Sequence, residues 1–383
     1  MTVNIVLLLG GRSTEHDASL HSYHRLRAAI EAAPGRLSLS AVAYLTREGG
    51  YRHFGQGPWP ETEEELRAGP ELLLHEGLDL LAASGAFVFS LLHGNEGEDG
   101  AWQGVAEVLG LRGNFGPVLA SALGMDKRLQ SVVARDLVPG LRTPRTWMLS
   151  RSAAEAPGEP ERWAAEVADA LDGRPAVVKP NRMGASLLTD LVSRPSGAAL
   201  AEAVARVLPY DDQVLVQEFV PGAEFTCGVV RSGGRTLALP VVEAVTENGF
   251  LGHREKHEHG LVRPLLHTED TETTRRIKQA SVRLFDEMSV FGFARLDFLL
   301  HEGELYFLEI NTLPGLMDGS AFPRMLEAAG LGLVDLVEEC VAEYGRLPLR
   351  NKVLPYRIDH GDHDASTHDH DHDHDHHEEI AGV

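Results

Sequence analysis

Cysteine is almost absent from this 383-residue chain: Cys227 and Cys340 are too few for a disulfide framework. Long apolar runs are missing too. No stretch approaches the roughly 20 residues that cross a bilayer, and the N-terminal run from Val3 to Leu9 is short and lacks the basic leader of a secretory signal. Positive charge is in deficit, with 35 Lys and Arg against 57 Asp and Glu, a formal net charge of -22. Nonspecific nucleic-acid binding and anionic-membrane binding both need basic surface to displace counterions, so neither is expected. The expectation is a cytoplasmic protein with small-molecule partners.

Apolar content is ample at 43%, enough in a chain of this length for two or three domains with real cores. Residues 4–11 read as a buried parallel strand ending in a glycine turn, followed by a helix over 19–33, the opening of an α/β nucleotide- or substrate-binding domain. Strands follow at 37–45 and 86–92, and a helix at 101–109. The intervening 47–70, rich in Gly, Pro and Glu, reads as a surface insertion. A helix over 127–136, strands at 143–149 and 176–180 and a helix over 160–171 make a small α+β unit. Strands at 213–219 and 224–231 straddle the start of a third, which includes helices over 271–288 and 332–344. The expected division is 1–120, 121–218 and 219–346, with a disordered His- and Asp-rich tail at 347–383.

The most informative stretch runs from Ala294 to Thr312. Two apolar strands flank His301-Glu302-Gly303, a three-residue loop whose glycine accepts the left-handed conformation. That loop sets Leu300 opposite Glu304, Arg295 opposite Glu309 and Asp297 opposite Phe307. Alternation then puts Arg295, Asp297, Glu309 and Asn311 on one face. Hard oxygen donors grouped this way suit Mg²⁺ better than Zn²⁺, and Mg²⁺ is usually completed by water and nucleotide phosphates. The competing reading is an exposed hairpin with a charged outer face; the turn Asn311-Thr312-Leu313-Pro314-Gly315 weighs against it.

Four further segments carry polar chemistry. Lys179 ends a strand before the loop Asn181 to Ser186, so an ammonium and free backbone N–H groups share a space able to hold phosphates; a solvated lysine is the plain alternative. Gln217-Glu218-Phe219-Val220 leads through a short hinge to Glu224, placed either to accept from ribose hydroxyls or simply to sit in a charged hairpin. The glycine-rich run His93 to Gly104 leaves a strand and enters a helix, as ligand-lining loops do. Gly10 to Ser19 does the same after the first strand, although capping accounts equally for Ser13 and Asp17.

In this order, the segments Gly10-Gly11 through Glu15 and Ser19, His93 to Gly104, Met125-Asp126-Lys127, Val178-Lys179-Pro180, Glu224-Phe225-Thr226, Arg295-x-Asp297 and Glu309-x-Asn311-Thr312-x-Pro314-Gly315 closely resemble the D-alanine-D-alanine ligase family of ATP-grasp enzymes. The resemblance spans residues 4–344. It implies an α/β, three-domain ATP-grasp fold with an N-terminal Rossmann-like (pre-ATP-grasp) domain, and a homodimer. It also implies ATP-driven joining of two small amino acids through an acyl phosphate, supplying peptidoglycan synthesis. By position, Asp297, Glu309 and Asn311 would ligate two Mg²⁺ (or Mn²⁺) ions. Lys127, Lys179, Gln217, Glu218, Val220, Glu224 and Lys256 would hold ATP, with Lys256 on the γ-phosphate and Glu224 on the ribose. Glu15 would bind the first ammonium, with His93 near its carboxylate. Arg295 would stabilise developing charge, and Gly315 and Ser320 would seat the second amino acid. Ser186, Glu15 and His257 would hold shut a lid over residues 246–264 that also carries Arg254 and His259.

The chain departs from that pattern in three places. His257 replaces a tyrosine in the lid, Leu188 stands near a usual glycine in the phosphate loop, and Leu316-Met317-Asp318-Gly319-Ser320-Ala321 differs where a threonine and a larger apolar residue are usual. The last change leaves open another small amino or hydroxy acid as acceptor. A dipeptide ligase of specialised metabolism and a non-catalytic nucleotide- or metal-binding relative are the other readings. The tail alternates Asp with His368, His370, His372, His374 and His376 before His377. It is either a Zn²⁺, Ni²⁺ or Cu²⁺ ligand through neutral imidazoles or a solvated terminus. Two outcomes are expected. Activity falls as His257 protonates, and a pH-rate profile unchanged in His257→Tyr rejects this. The full chain binds more Zn²⁺ in equilibrium dialysis than a chain ending at Leu347, and equal binding rejects a metal role for the tail.

Overall fold

Five consecutive apolar residues, Ile5 to Leu9, are almost wholly buried in β1 (Val3–Gly10), as a strand covered on both faces requires. The computed structural model describes residues 2–246, 252 and 262–346. β1 runs parallel to β2 (Leu37–Leu45) and to β5 (Phe87–Ser90). β3 (Tyr51–Phe54) and β4 (Glu71–Leu72) extend the sheet antiparallel at one edge, giving the order β4-β3-β2-β1-β5. Residues 47–70 are therefore more than a surface insertion. They supply β3 and the helix Glu63–Ala68, with Tyr51 and Leu66 fully buried. Gly-, Pro- and Glu-rich flanks masked two anchoring side chains.

A four-stranded antiparallel sheet, order β6-β9-β7-β8, is built from β6 (Thr146–Ser150), β7 (Ala176–Pro180), β8 (Asp190–Val192) and β9 (Gln213–Glu218). The helices Glu159–Leu171 and Gly197–Val207 bury Ala164, Val167, Leu200 and Val204 in its core. The third sheet contains β10 (Ala223–Ser232), β11 (Arg235–Ala238), β12 (Val241–Thr246), β13 (Val262–His267), β14 (Phe293–His301) and β15 (Glu304–Asn311). The helix Glu272–Glu287 packs on it through Ile277, Leu284 and Phe285. The helices Val118–Met125 and Lys127–Leu137 join the same core through Ala120 and Ala134.

The expected hairpin forms, but its register differs. Its turn has two residues, Glu302 (φ 49°) and Gly303 (φ 82°), both left-handed as a primed turn requires, so His301 rather than Leu300 pairs with Glu304. A bulge at Leu308 then shifts the ladder again, so Arg295 pairs with Asn311 and Asp297 with Glu309. The first and third sheets share one core: the Phe89 and Phe293 rings lie parallel at 6.2 Å, and Phe293 meets Phe322 at 5.5 Å.

Candidate active site

Two adjoining cavities collect almost every residue singled out above. Lys127, Lys179, Ser186, Gln217, Glu218, Val220, Glu224, Asp297 and Glu309 line one, between the second and third sheets. Glu15, His93, Arg295, Asn311, Gly315 and Ser320 line the other, at the carboxyl ends of β1 and β5 and the end of β15. Lys127, Met183, Gly184, Ala185 and Glu309 belong to both. Arg254, Lys256, His257 and His259 lie outside the described residues, as does the tail; their flanks, β12 and β13, pair antiparallel.

The acidic hairpin is held from its own strand. Arg295 Nε donates to Asp297 Oδ1 at 3.0 Å and Nη2 to Oδ2 at 2.9 Å, while Thr226 Oγ1 donates to Oδ1 at 2.6 Å from β10. Burial opposes the Arg295 charge, but Asp297 outweighs it and raises the guanidinium pKa. Arg295 is thus cationic at any working pH. Lys127 opens its helix behind Asp126, which caps Leu129 N at 2.9 Å. Lys127 Nζ donates to Met183 O at 2.7 Å and lies 3.4 Å from Glu309 Oε2. Gln130 Oε1 accepts from Ile310 N at 2.6 Å, fixing that helix beside the acid it faces. Asp126 also takes two contacts of 3.0 Å from Arg182, tying the helix to the loop after β7.

That loop is bent sharply. Ala185 (φ 52°), Ser186 (φ 52°) and Leu188 (φ 54°) are all left-handed, so leucine occupies an αL position near the usual glycine. A Cβ at Gly184 would meet Glu15 Oε2 at 2.3 Å, so any larger residue there displaces the Glu15 carboxylate; at Gly94 the same atom would be 2.8 Å away. The Glu15 carboxylate therefore lies against two strands of backbone. Ser13 and Asp17 both serve the helix start: Ser13 Oγ accepts from Glu15 N at 3.2 Å and donates to His93 O at 2.6 Å, and Asp17, in the first turn, pairs with Arg47.

His93 is 5% exposed, and its Nε2 has no hydrogen-bond partner among the described residues. Burial lowers its pKa to about 4, so it is a neutral imidazole near pH 7. Glu98, which lines the same cavity, was not singled out from the sequence. Its two oxygens accept from Leu313 N at 3.1 Å and Gly94 N at 2.8 Å. Burial first, and then the Glu15 charge, push its pKa up to about 8. One of its two donors, Leu313 N, comes from 215 positions away, which no local pattern announces. Leu299, by contrast, was readable by alternation from Arg295 and Asp297.

The donor set fits Mg²⁺. Asp297, Glu309 and Asn311 offer two carboxylates and an amide carbonyl, all hard oxygens on adjacent ladder positions. Asn311 Oδ1 accepts from Leu313 N at 3.0 Å and keeps a second lone pair. Among the described residues no group of three or more His, Cys, Asp or Glu comes together as a protein-only cage.

Two antiparallel sheets closing on a lysine-lined cleft, with an acidic hairpin at its floor, define an ATP-grasp enzyme. The family model for the D-ala D-ala ligase N-terminus matches residues 4–113, and that for the C-terminus matches 140–342. The D-alanine-D-alanine ligase of Desulforudis audaxviator (strain MP104C) is 33% identical over 346 residues, 89% of this chain and 98% of its own. That of Legionella pneumophila (strain Lens) is 30% identical over 354 residues, 88% and 94%. Among solved structures, the VanG D-Ala:D-Ser ligase from Enterococcus faecalis superposes with TM-score 0.72 at 25% identity, covering 90% of this chain and 100% of that one. The D-alanine-D-alanine ligase from Bacillus anthracis, complexed with ATP, gives 0.66 at 23%, covering 90% and 98%. The chain belongs to the D-alanine-D-alanine ligase family. It is an ATP-dependent, ADP-forming ligase, and the expected three-domain ATP-grasp fold holds.

The Glu98 pKa gives a stability signature. Because the native state holds this proton above the unfolded value of 4.5, stability is full below about 4.5 and is lost as pH rises through about 8. Urea unfolding of the wild type is expected to weaken over that window, and Glu98→Gln to flatten the slope; identical slopes would refute the assignment.

Proposed function

We propose that this chain joins two D-alanines into the dipeptide of peptidoglycan synthesis, with the reaction centred where the two cavities meet. The carrying observation is that Lys127 and Glu309 line both, so a nucleotide in one has its phosphate end against the amino-acid site. The carboxylate of the first amino acid attacks the γ-phosphorus of ATP, breaking its bond to the β-phosphate oxygen, to give an acyl phosphate and ADP. The amine of the second then displaces phosphate. Lys127 and Lys179 take the phosphates, Glu224 the ribose, and Gln217, Glu218 and Val220 the base end of the cavity. Asp297, Glu309 and Asn311 would hold Mg²⁺, which would neutralise phosphate charge. Glu15 holds the first ammonium, and neutral His93 lies by its carboxylate. Arg295, permanently charged, faces the oxygen that gains negative charge. Lys256 and His257 lie outside the described residues; by the family resemblance Lys256 would meet the γ-phosphate and His257 would join Ser186 and Glu15 in holding the segment 246–264 shut, while Gly315 and Ser320 seat the acceptor.

This reading divides the chain into a substrate domain (1–120), a central ATP-grasp domain (121–218), a catalytic domain (219–346) and a tail (347–383) able to bind Zn²⁺ or Ni²⁺. It also assigns a cytoplasmic homodimer. No helix among the described residues is long and apolar enough to cross a membrane. A second acceptor class, another small amino or hydroxy acid, is favoured by Met317 and Ala321 on the cavity wall.

Phosphate release from ATP and Mg²⁺ with a panel of D- and L-amino acids tests the assignment. D-alanine is expected to support turnover, and the double variant Asp297→Ala, Glu309→Ala to lose at least about 100-fold. Silence across the panel, or full turnover in the double variant, removes it.

A further inference from the structure

The acceptor end of the amino-acid cavity has Gly315, Met317 and Ser320 on one side and Ala18 and His21 of the helix His16–Glu31 on the other. The loop between Gly315 and Ser320 is fastened to that helix. Leu316 N donates to Ser22 Oγ at 3.1 Å, and Ser22 is fully buried. Arg25 then spreads over four oxygens of the loop and the helix after it. Its Nε lies 2.9 Å from Asp318 Oδ1, Nη2 lies 2.7 Å from Glu327 Oε1, and Nη1 lies 3.4 Å from the carbonyl oxygens of both Leu316 and Met317.

Residues 15, 18, 22 and 25 recur at helical spacing and share one side. One helix is thus preceded at its N-cap by the residue assigned to the first amino acid and, further along, grips the wall assigned to the second through Arg25. We propose that Arg25 is a positioning residue for the acceptor, fixing the loop that presents Gly315 and Ser320 without touching substrate itself. The proposal rests on the reading that this loop seats the second amino acid. The Asp318 contact alone would do little, because its carboxylate is largely in water. A guanidinium, however, holds a rigid fork of donors and can fix two carbonyls and two carboxylates at once, which a single ammonium cannot. Loss of that fixture loosens the loop by fractions of an ångström, enough to weaken a site whose geometry must be held closely.

Initial-rate kinetics on the full chain, with D-alanine and ATP varied, give separate KM values for the first amino acid, the second and ATP. Arg25→Ala is expected to raise the second KM about tenfold and leave the other two within about twofold. Arg25→Lys is expected to recover part of the loss. Ser320→Ala, which alters the seat itself, checks the underlying reading. A second KM unchanged in Arg25→Ala but raised in Ser320→Ala overturns the role of Arg25. Both unchanged means the loop does not seat the acceptor, and the reading beneath falls instead. A parallel rise in all three constants with a lowered melting temperature marks Arg25 as merely structural and also overturns the proposal.

Discussion

The site depends on one side chain holding another two residues along the same strand. Arg295 reaches both oxygens of Asp297 from within β14, and Thr226 adds a third contact from β10. A nearly buried carboxylate is costly to leave charged unless it is paired and hydrogen-bonded. Here the pairing fixes its rotamer and aims it into the cleft. Glu309 then needs only to be its ladder partner, and Lys127 only to lie over Glu309. Contacts internal to the protein thus fix the geometry of the centre, as electrostatic stabilisation of a transition state requires.

Most of the site was legible because strand alternation is insensitive to a particular kind of mistake. The expected hairpin loop was one residue too long, which displaces the register by one, and the bulge at Leu308 displaces it once more. Two single shifts sum to an even number. Arg295, Asp297, Glu309 and Asn311 therefore stay on one face although none has the partner that the sequence suggested. A lone shift would have turned the acids into the core. The strand 37–45 and the helix 101–109 were read to their ends, since alternation and glycine boundaries leave little freedom there.

What escaped reading comes from contacts between distant segments. Glu98 lies in a glycine-rich run that looks solvated, yet it is buried and accepts a hydrogen bond from the distant Leu313 N. Gln130 sits inside a polar-faced helix, and nothing nearby indicates that it receives Ile310 N across 180 positions. β3 is short and flanked by turn residues, yet Tyr51 at its start is wholly enclosed. Leu308 enters the cavity between the second and third sheets because an extra residue in β15 turns it there, and bulges leave no compositional mark.

The bend after β7 bears on how such a chain can diverge. With positions 185, 186 and 188 in the left-handed region, β-branched residues are closed to all three, while glycine and asparagine are admitted at little steric cost. Leu188 also packs on the core of the central sheet, so exchanging it for glycine relaxes the backbone and removes an apolar anchor together. Drift at this position trades firmness of the loop against ease of its movement. Lineages sharing the fold can therefore differ in loop mobility with every ligating group unchanged.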